Sequence, residues 1–185
     1  MRAFRTSLLL AVAIPMGTLC LAQSSPVAPT LRKPDVHYVP TPQPVVDAML
    51  QMARVKKGDV LYDLGSGDGR IPIMAARRYG VRAVGIDIDP ERIAEAKANA
   101  SKAGVAQLVT FRNEDLFAAD FSEATVVTLY LLDNLNAKLR PRLLAQLKPG
   151  TRIVSHAFGM GDWKPQKEQH VDGSTIYFWI VPPRK

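Results

Sequence analysis

Cysteine is almost missing from this chain: Cys20 is the only one in 185 residues. It sits in an apolar N-terminal stretch that reads as removable, so the body of the protein has none. Disulfides, thiolate zinc sites and a cysteine nucleophile are thereby excluded. The lack is compatible with an oxidising compartment without establishing one. Histidine is also scarce, with only three. His37 and His170 lie in loop-like sequence without metal-ligand spacing, so no metal is expected. A net charge of +7 comes with no arginine-rich tract and no aromatic stacking motif, hence no specific nucleic acid signal. Its cations fall in small groups (Arg54, Lys56 and Lys57; Arg77 and Arg78; Lys138, Arg140 and Arg142) that read as solvated helix faces.

Long apolar runs are missing too. The longest, residues 8–21, is short for a membrane span. With Arg2 and Arg5 before it and Ala22 after it, residues 1–22 read as a signal peptide. The expectation is export, to the periplasm or beyond; an uncleaved segment would leave the protein membrane-anchored or cytoplasmic. Residues 23–44 hold six prolines, Pro26 to Pro44, and read as a linker and extended lead-in. Residues 45–185 then form one domain of ordinary size.

Within that domain two periodicities alternate. Val45, Val46, Met49, Leu50 and Ala53 have helical spacing over residues 45–55. Strands are expected at 59–64, 82–87, 107–112, 125–132, 151–155 and 175–181. Helices are expected at 70–79, closed by Gly80, at 90–103, opened by Pro90, and at 134–147, kinked or restarted at Pro141. Strands alternating with helices imply right-handed crossovers and a largely parallel sheet covered on both faces. No helical pattern separates the last strands, so the sheet is expected to end antiparallel. The fold class is α/β, a Rossmann-like, doubly wound, mostly parallel seven-stranded sheet.

The loop DLGSGDGR, residues 63–70, lies where such sheets bind ligands, at the carboxyl end of the first strand. A dinucleotide fingerprint needs a glycine where Arg70 stands. A P-loop needs Lys-Ser/Thr after Gly69. What remains is D-x-G-x-G-x-G: glycines that let a ligand approach the backbone, and a carboxylate, Asp63, that favours a cation. S-adenosylmethionine offers a sulfonium, an ammonium and a carboxylate, but no phosphate. N–H groups at the start of the next helix can meet that carboxylate. Asp87, closing the second strand, can accept both ribose hydroxyls of an adenosine or cap the helix after it. Asp115 can accept from an adenine amino group or be a solvated or capping residue. Asp68 is expected to face solvent or cap the following helix.

DLGSGDGR, GIDID, NEDLF and LLAQLKPGTRIVS together resemble a class I S-adenosylmethionine-dependent methyltransferase. The stretches YVPTPQPVVDAML, ATVVTLYLL and RIVSHAFGMGDW resemble more narrowly the small archaeal and mitochondrial protein-lysine methyltransferases, those of the ATP synthase c-subunit included. The likeness runs roughly over residues 36–165. It implies that Asp63, Gly65 and Gly67 hold the methionine part, Asp87 the ribose, and Asp115 with Leu116 the adenine. It also implies that Tyr38 and Thr41 close over the cofactor, and that the partner is a protein lysine. Tyr38 can equally be a linker aromatic packed on the sheet.

No catalytic base is required by methyl transfer from a sulfonium, provided the amine is deprotonated. Tyr130 can line a lysine channel or be a buried strand aromatic. Asp133 or Asn134 can orient an amine or cap the next helix. His156 can act as a base or be a satisfied histidine at a strand end. A small-molecule or RNA methyltransferase is the enzyme alternative, although no N-P-P-Y tetrapeptide follows the fourth strand. A non-catalytic adenosyl-binding domain is the other.

Overall fold

In the computed structural model, which describes residues 31–184, helix and strand alternate from α1 to β5. The order is α1 (Gln43–Met52), β1 (Val60–Leu64), α2 (Arg70–Tyr79), β2 (Arg82–Asp87), α3 (Pro90–Lys102) and β3 (Val109–Asn113). Then come β4 (Val126–Leu129), α4 (Asp133–Gln146), β5 (Arg152–His156), β6 (Lys167–Val171) and β7 (Ser174–Ile180). The seven strands form one sheet in the order β3-β2-β1-β4-β5-β7-β6. The first five run parallel, and β7 pairs antiparallel with both β5 and β6. The sequence expectation of a doubly wound sheet with an antiparallel ending is met. The signal segment and the first part of the linker lie outside the described residues.

Alternation along each strand builds two cores. Leu61, Ala83, Val126 and Val154 face α1, α2 and α3 in one cluster. Tyr62, Val84, Val127 and Ile153 face α4 in the other. All four residues of β4 are buried, as expected of a central parallel strand. Helix α1 begins at Gln43, just after Pro42, and buries Val45, Val46, Met49 and Leu50 completely. Residues 31–41, read from sequence as lead-in, lie across the carboxyl ends of the strands within the same unit.

Three expectations need correction. Strand β4 stops at Leu129, so Tyr130, Leu131 and Leu132 belong to the loop above it. Helix α4 passes through Pro141 without restarting; the ring sits on an exposed face, where the unpaired carbonyl can reach water. The seventh strand, Lys167–Val171, was not located from sequence because KEQHV is polar and almost wholly exposed. Its pairing with β7 imposes it. Asp172 and Gly173 both have positive φ, 49° and 75°, the signature of a tight hairpin turn. The Asp-Gly pair was the available signal.

Candidate active site

The carboxyl ends of β1, β2, β4 and β5 meet under residues 31–41, enclosing two adjoining chambers of about 490 and 540 Å³. Asp63, Asp68, Arg70 and Tyr130 line the first. Asp87, Asp115, Leu116 and Arg32 line the second. Gly65 and Tyr38 line both. Of the sequence-derived cofactor residues, all but Gly67 line one or both chambers.

Asp63 is the most unusual group in the site. Only 2% of it is exposed, and its one hydrogen bond comes from Thr128 Oγ1 at 2.7 Å. Burial pushes its carboxyl up to about 8; the Thr128 hydroxyl opposes the rise, and the charges of Asp87 and Asp68 add to it. A buried carboxylate with one partner is short of positive charge. An ammonium or sulfonium in the chamber would supply it.

Beside Asp63 the glycine loop makes its turn. Gly65 and Ser66 both donate to the Ile86 carbonyl, at 2.8 and 3.0 Å. Gly67 donates to Asp87 Oδ2 at 2.8 Å. A Cβ on Gly67 would lie 2.3 Å from the Tyr38 ring, at a φ of 51°; only glycine fits beneath that ring. The N–H groups offered by the sequence to an anionic carboxylate are thus mostly engaged. Arg70 N also bonds Asp68, and Pro72 has none. Among the described residues, Arg70 is the only lysine or arginine lining the first chamber. In the sequence it counted only as the residue that broke a fingerprint.

Asp68 does not face solvent. It pairs with Arg70 at 2.7 Å and bonds the Arg70 N–H, partly capping α2. Burial would raise its carboxyl, but Arg70 holds it below the ordinary value. Asp87 is relieved of capping α3, because Asp89 accepts from Glu91 N at 2.8 Å. Asp87 instead bonds Gly67 and Asp89 N–H groups and borders the second chamber. Asp115 accepts from Phe117 N, as a turn residue would, and pairs with Arg32 at 2.7 Å. The Arg32 hydrogen bonds hold its carboxyl below the ordinary range.

Tyr38 is a roof for the loop: it sits on Gly67, with the Arg92 guanidinium 5.0 Å from its ring centre. Thr41 is buried, its carbonyl held by Arg70 at 2.8 Å and its hydroxyl 3.3 Å from His156 Nδ1. His156 is 2% exposed and burial lowers its pKa, so it is neutral near pH 7. Its ring centre lies 3.8 Å from that of Tyr130. The arrangement makes His156 a support for Tyr130 and Thr41. Tyr130 is half-buried at the chamber wall, and Phe158 stacks beyond it at 6.2 Å. Asp133 Oδ1 accepts from Gly159 N at 2.8 Å, leaving an exposed carboxylate edge near Tyr130's loop. Asn134 is exposed and bonds only the neighbouring Leu135 N–H. Neither residue caps α4.

Sequence reading missed Arg32, Arg70 and Phe158. Arg32 carries no motif, and Phe158 lies within RIVSHAFGMGDW without a role read for it; the place of each depends on packing. Among the described residues no cluster of three or more His, Cys, Asp or Glu could hold a metal ion, and no helix is long and apolar enough to cross a membrane.

Comparison with known proteins agrees with this geometry. The family model for the ANTKMT methyltransferase domain matches residues 63–167. A protein-lysine N-methyltransferase of Saccharolobus islandicus is 48% identical over 157 residues, covering 82% of this chain and 98% of that protein. The human lysine N-methyltransferase of the ATP synthase c-subunit is 31% identical over 150 residues, covering 81% of this chain and 62% of that protein. Among solved structures, an RNA methyltransferase from Salinibacter ruber in complex with S-adenosyl-L-homocysteine has a TM-score of 0.78. It is 60% identical, covering 80% of this chain and 96% of that one. Matched in its glycine loop, its sheet and most of its length, the chain is an S-adenosylmethionine-dependent methyltransferase and belongs to the ANTKMT methyltransferase domain family.

Proposed function

We propose that this enzyme methylates the side-chain amine of lysine in a protein acceptor. The observation that carries the reading is the segregation of charge between the two ends of the sheet. Besides Asp63, the chambers are bordered by Asp35, Asp68, Asp87, Asp89 and Asp115; Arg32, Arg70 and Arg92 are each paired with a carboxylate, and exposed Lys33 stands beside them. At the amino ends of the strands, exposed Arg54, Lys56, Lys57, Arg77, Lys102 and Lys148 have no carboxylate partner among the described residues. A cationic acceptor is drawn to the site end and repelled from the other. RNA phosphate would be drawn to the wrong end, away from the methyl donor. The archaeal and mitochondrial relatives named for lysine acceptors support the same reading.

S-adenosylmethionine, when bound, supplies the methyl group on a sulfonium leaving group. The roles proposed for the chain are mostly of placement. Asp63, Gly65 and Gly67 hold the methionine part, Asp87 the ribose, and Asp115 with Leu116 the adenine; Tyr38 and Thr41 close the cleft. Tyr130 and Phe158 offer aromatic surface to an aliphatic lysine stem, and Asp133 attracts its ammonium at the rim. The amine must shed a proton from a group whose ordinary pKa is about 10.4. An apolar approach beside a cation lowers that value. His156, buried against Tyr130 and Thr41, acts as their support.

Export remains the proposal for residues 1–22, resting on Arg2, Arg5 and the apolar run alone. Detection of a mature chain starting near Gln23 would support it, and an intact N-terminus in the cell would oppose it.

The function is tested by incubating the full chain with methyl-labelled S-adenosylmethionine, a lysine-rich protein and structured RNA, reading products by mass spectrometry. Methylated lysine is expected. Label on RNA alone would replace the lysine assignment with the RNA reading that the Salinibacter relative's name suggests.

A further inference from the structure

Arg32 lies upstream of every motif in the chain, yet it reaches the cofactor cleft. Its Nε and Nη2 donate to Asp115 Oδ2 and Oδ1 at 2.7 and 3.2 Å, and its Nη1 donates to Asp35 at 2.5 Å. Its guanidinium carbon is 5.7 Å from the Phe117 ring centre. The same extended segment is fixed elsewhere at two points. Tyr38 packs on Gly67. Thr41 is held by Arg70 and His156, next to a helix whose apolar face is fully buried. Between these pins Pro34, Asp35 and Val36 border the second chamber. One end of the strap is therefore rooted in the core, and Arg32 pins the other to the surface.

We propose that Arg32 is a cofactor-retention residue: its fork onto Asp115 latches the strap over the adenine-side chamber, and the latch must open for cofactor and product to exchange. Arg32 acts through Asp115 and is a positioning residue. The proposal rests on the assignment of this chamber to the adenosyl part.

The latch does not block the site. A carboxylate has about four acceptor positions. Phe117 N and Arg32 Nη2 use Oδ1, and Arg32 Nε uses Oδ2. One position on Oδ2 is left for an amino donor in the chamber. Latch and ligand can therefore share Asp115. The Arg32 and Asp115 side chains are 39% and 22% exposed, so the pair is open to salt and weak enough to break during turnover.

The test measures release of S-adenosylhomocysteine from the full chain by stopped flow, for wild type, Arg32→Ala and Arg32→Lys. Arg32→Ala is expected to release it faster, on the order of three- to tenfold. Arg32→Lys is expected to fall between, because an ammonium cannot make the fork. Added salt should speed wild-type release toward the Arg32→Ala rate while leaving Arg32→Ala almost unchanged, which a purely structural role would not produce. Equal release from wild type and Arg32→Ala would overturn the latch while leaving the cofactor assignment intact. Failure of both proteins to bind S-adenosylhomocysteine would overturn the assignment and the latch together.

Discussion

Two aspartates, Asp59 and Asp63, stand at opposite ends of one strand. Both are buried, at 6% and 2% exposure, and each takes a hydroxyl from a threonine of the neighbouring strand segment, Thr125 or Thr128. There the likeness stops. Asp59 also accepts from Lys56 N at 2.8 Å and pairs with Arg152, whose other nitrogen bonds the Ala53 and Arg54 carbonyls. Burial would raise its carboxyl, but these partners outweigh it and hold it below the ordinary value. Asp63 has nothing beyond its threonine and is pushed up to about 8. The complete network ties β1 to β4 and β5 and is structural. The incomplete one faces a chamber and calls for a cationic ligand. Position in the fold alone would not separate them; the count of partners does.

Breaking the complete network should have the largest effect. Asp59→Asn leaves Arg152 without its buried partner and is expected to cost about 3 kcal/mol of stability, read by urea unfolding. Cofactor affinity of the folded fraction should hold. Asp63→Asn should do the reverse. It is expected to weaken S-adenosylmethionine binding by about 2 kcal/mol, roughly thirtyfold, through loss of a charged partner. Its stability should be equal to or above wild type. A stability loss like that of Asp59→Asn would erase the distinction between the two sites.

Glycines sharpen the same comparison. Gly58, beside Asp59, has a φ of 90° and open space around it. Gly58→Ala is expected to cost about 1–2 kcal/mol of backbone strain and leave cofactor binding alone. Gly67→Ala adds a collision with Tyr38 to a similar strain, so it should weaken cofactor binding as well. Thermal unfolding and calorimetric titration of the two variants check this.

The pH dependence differs in sign between the two carboxyls. The folded pKa of Asp59 is depressed, so its contribution is present above the unfolded value of about 4 and is lost as pH falls through the folded value. The folded pKa of Asp63 is raised. Its contribution to the free protein is full below about pH 4 and is lost as pH rises through about 8. Asp63→Asn should flatten the stability curve between these limits, and Asp59→Asn should flatten it on the acid side. An Asp63→Asn curve parallel to wild type from pH 5 to 8 would contradict the raised carboxyl.

The sequence made the site end legible because motif and position coincide there. Asp63, the glycines and Asp87 follow strand ends that apolar patterning locates, and strand alternation implies the sheet that brings them together. Arg70 was visible only as a fingerprint failure. Arg32 was not legible, since it reaches Asp115 across most of the site's length of chain; Phe158 stood in a quoted stretch, but its stacking on Tyr130 depends on packing. The Asp59–Arg152 network was hidden for the same reason: its partners are separated by most of the domain. The seventh strand escaped because its pattern is polar, although the Asp-Gly turn beside it marked a hairpin.

The central claim is that the unmet demand of Asp63 for positive charge is the cofactor site. Calorimetric titration with S-adenosylmethionine near pH 6.5, in two buffers of different ionisation enthalpy, tests it directly. Wild type is expected to release a proton on binding as Asp63 ionises against the ligand's cation, Asp59→Asn to do the same, and Asp63→Asn to bind weakly without that release. Binding to wild type without proton release, or equal binding by Asp63→Asn, would contradict the claim.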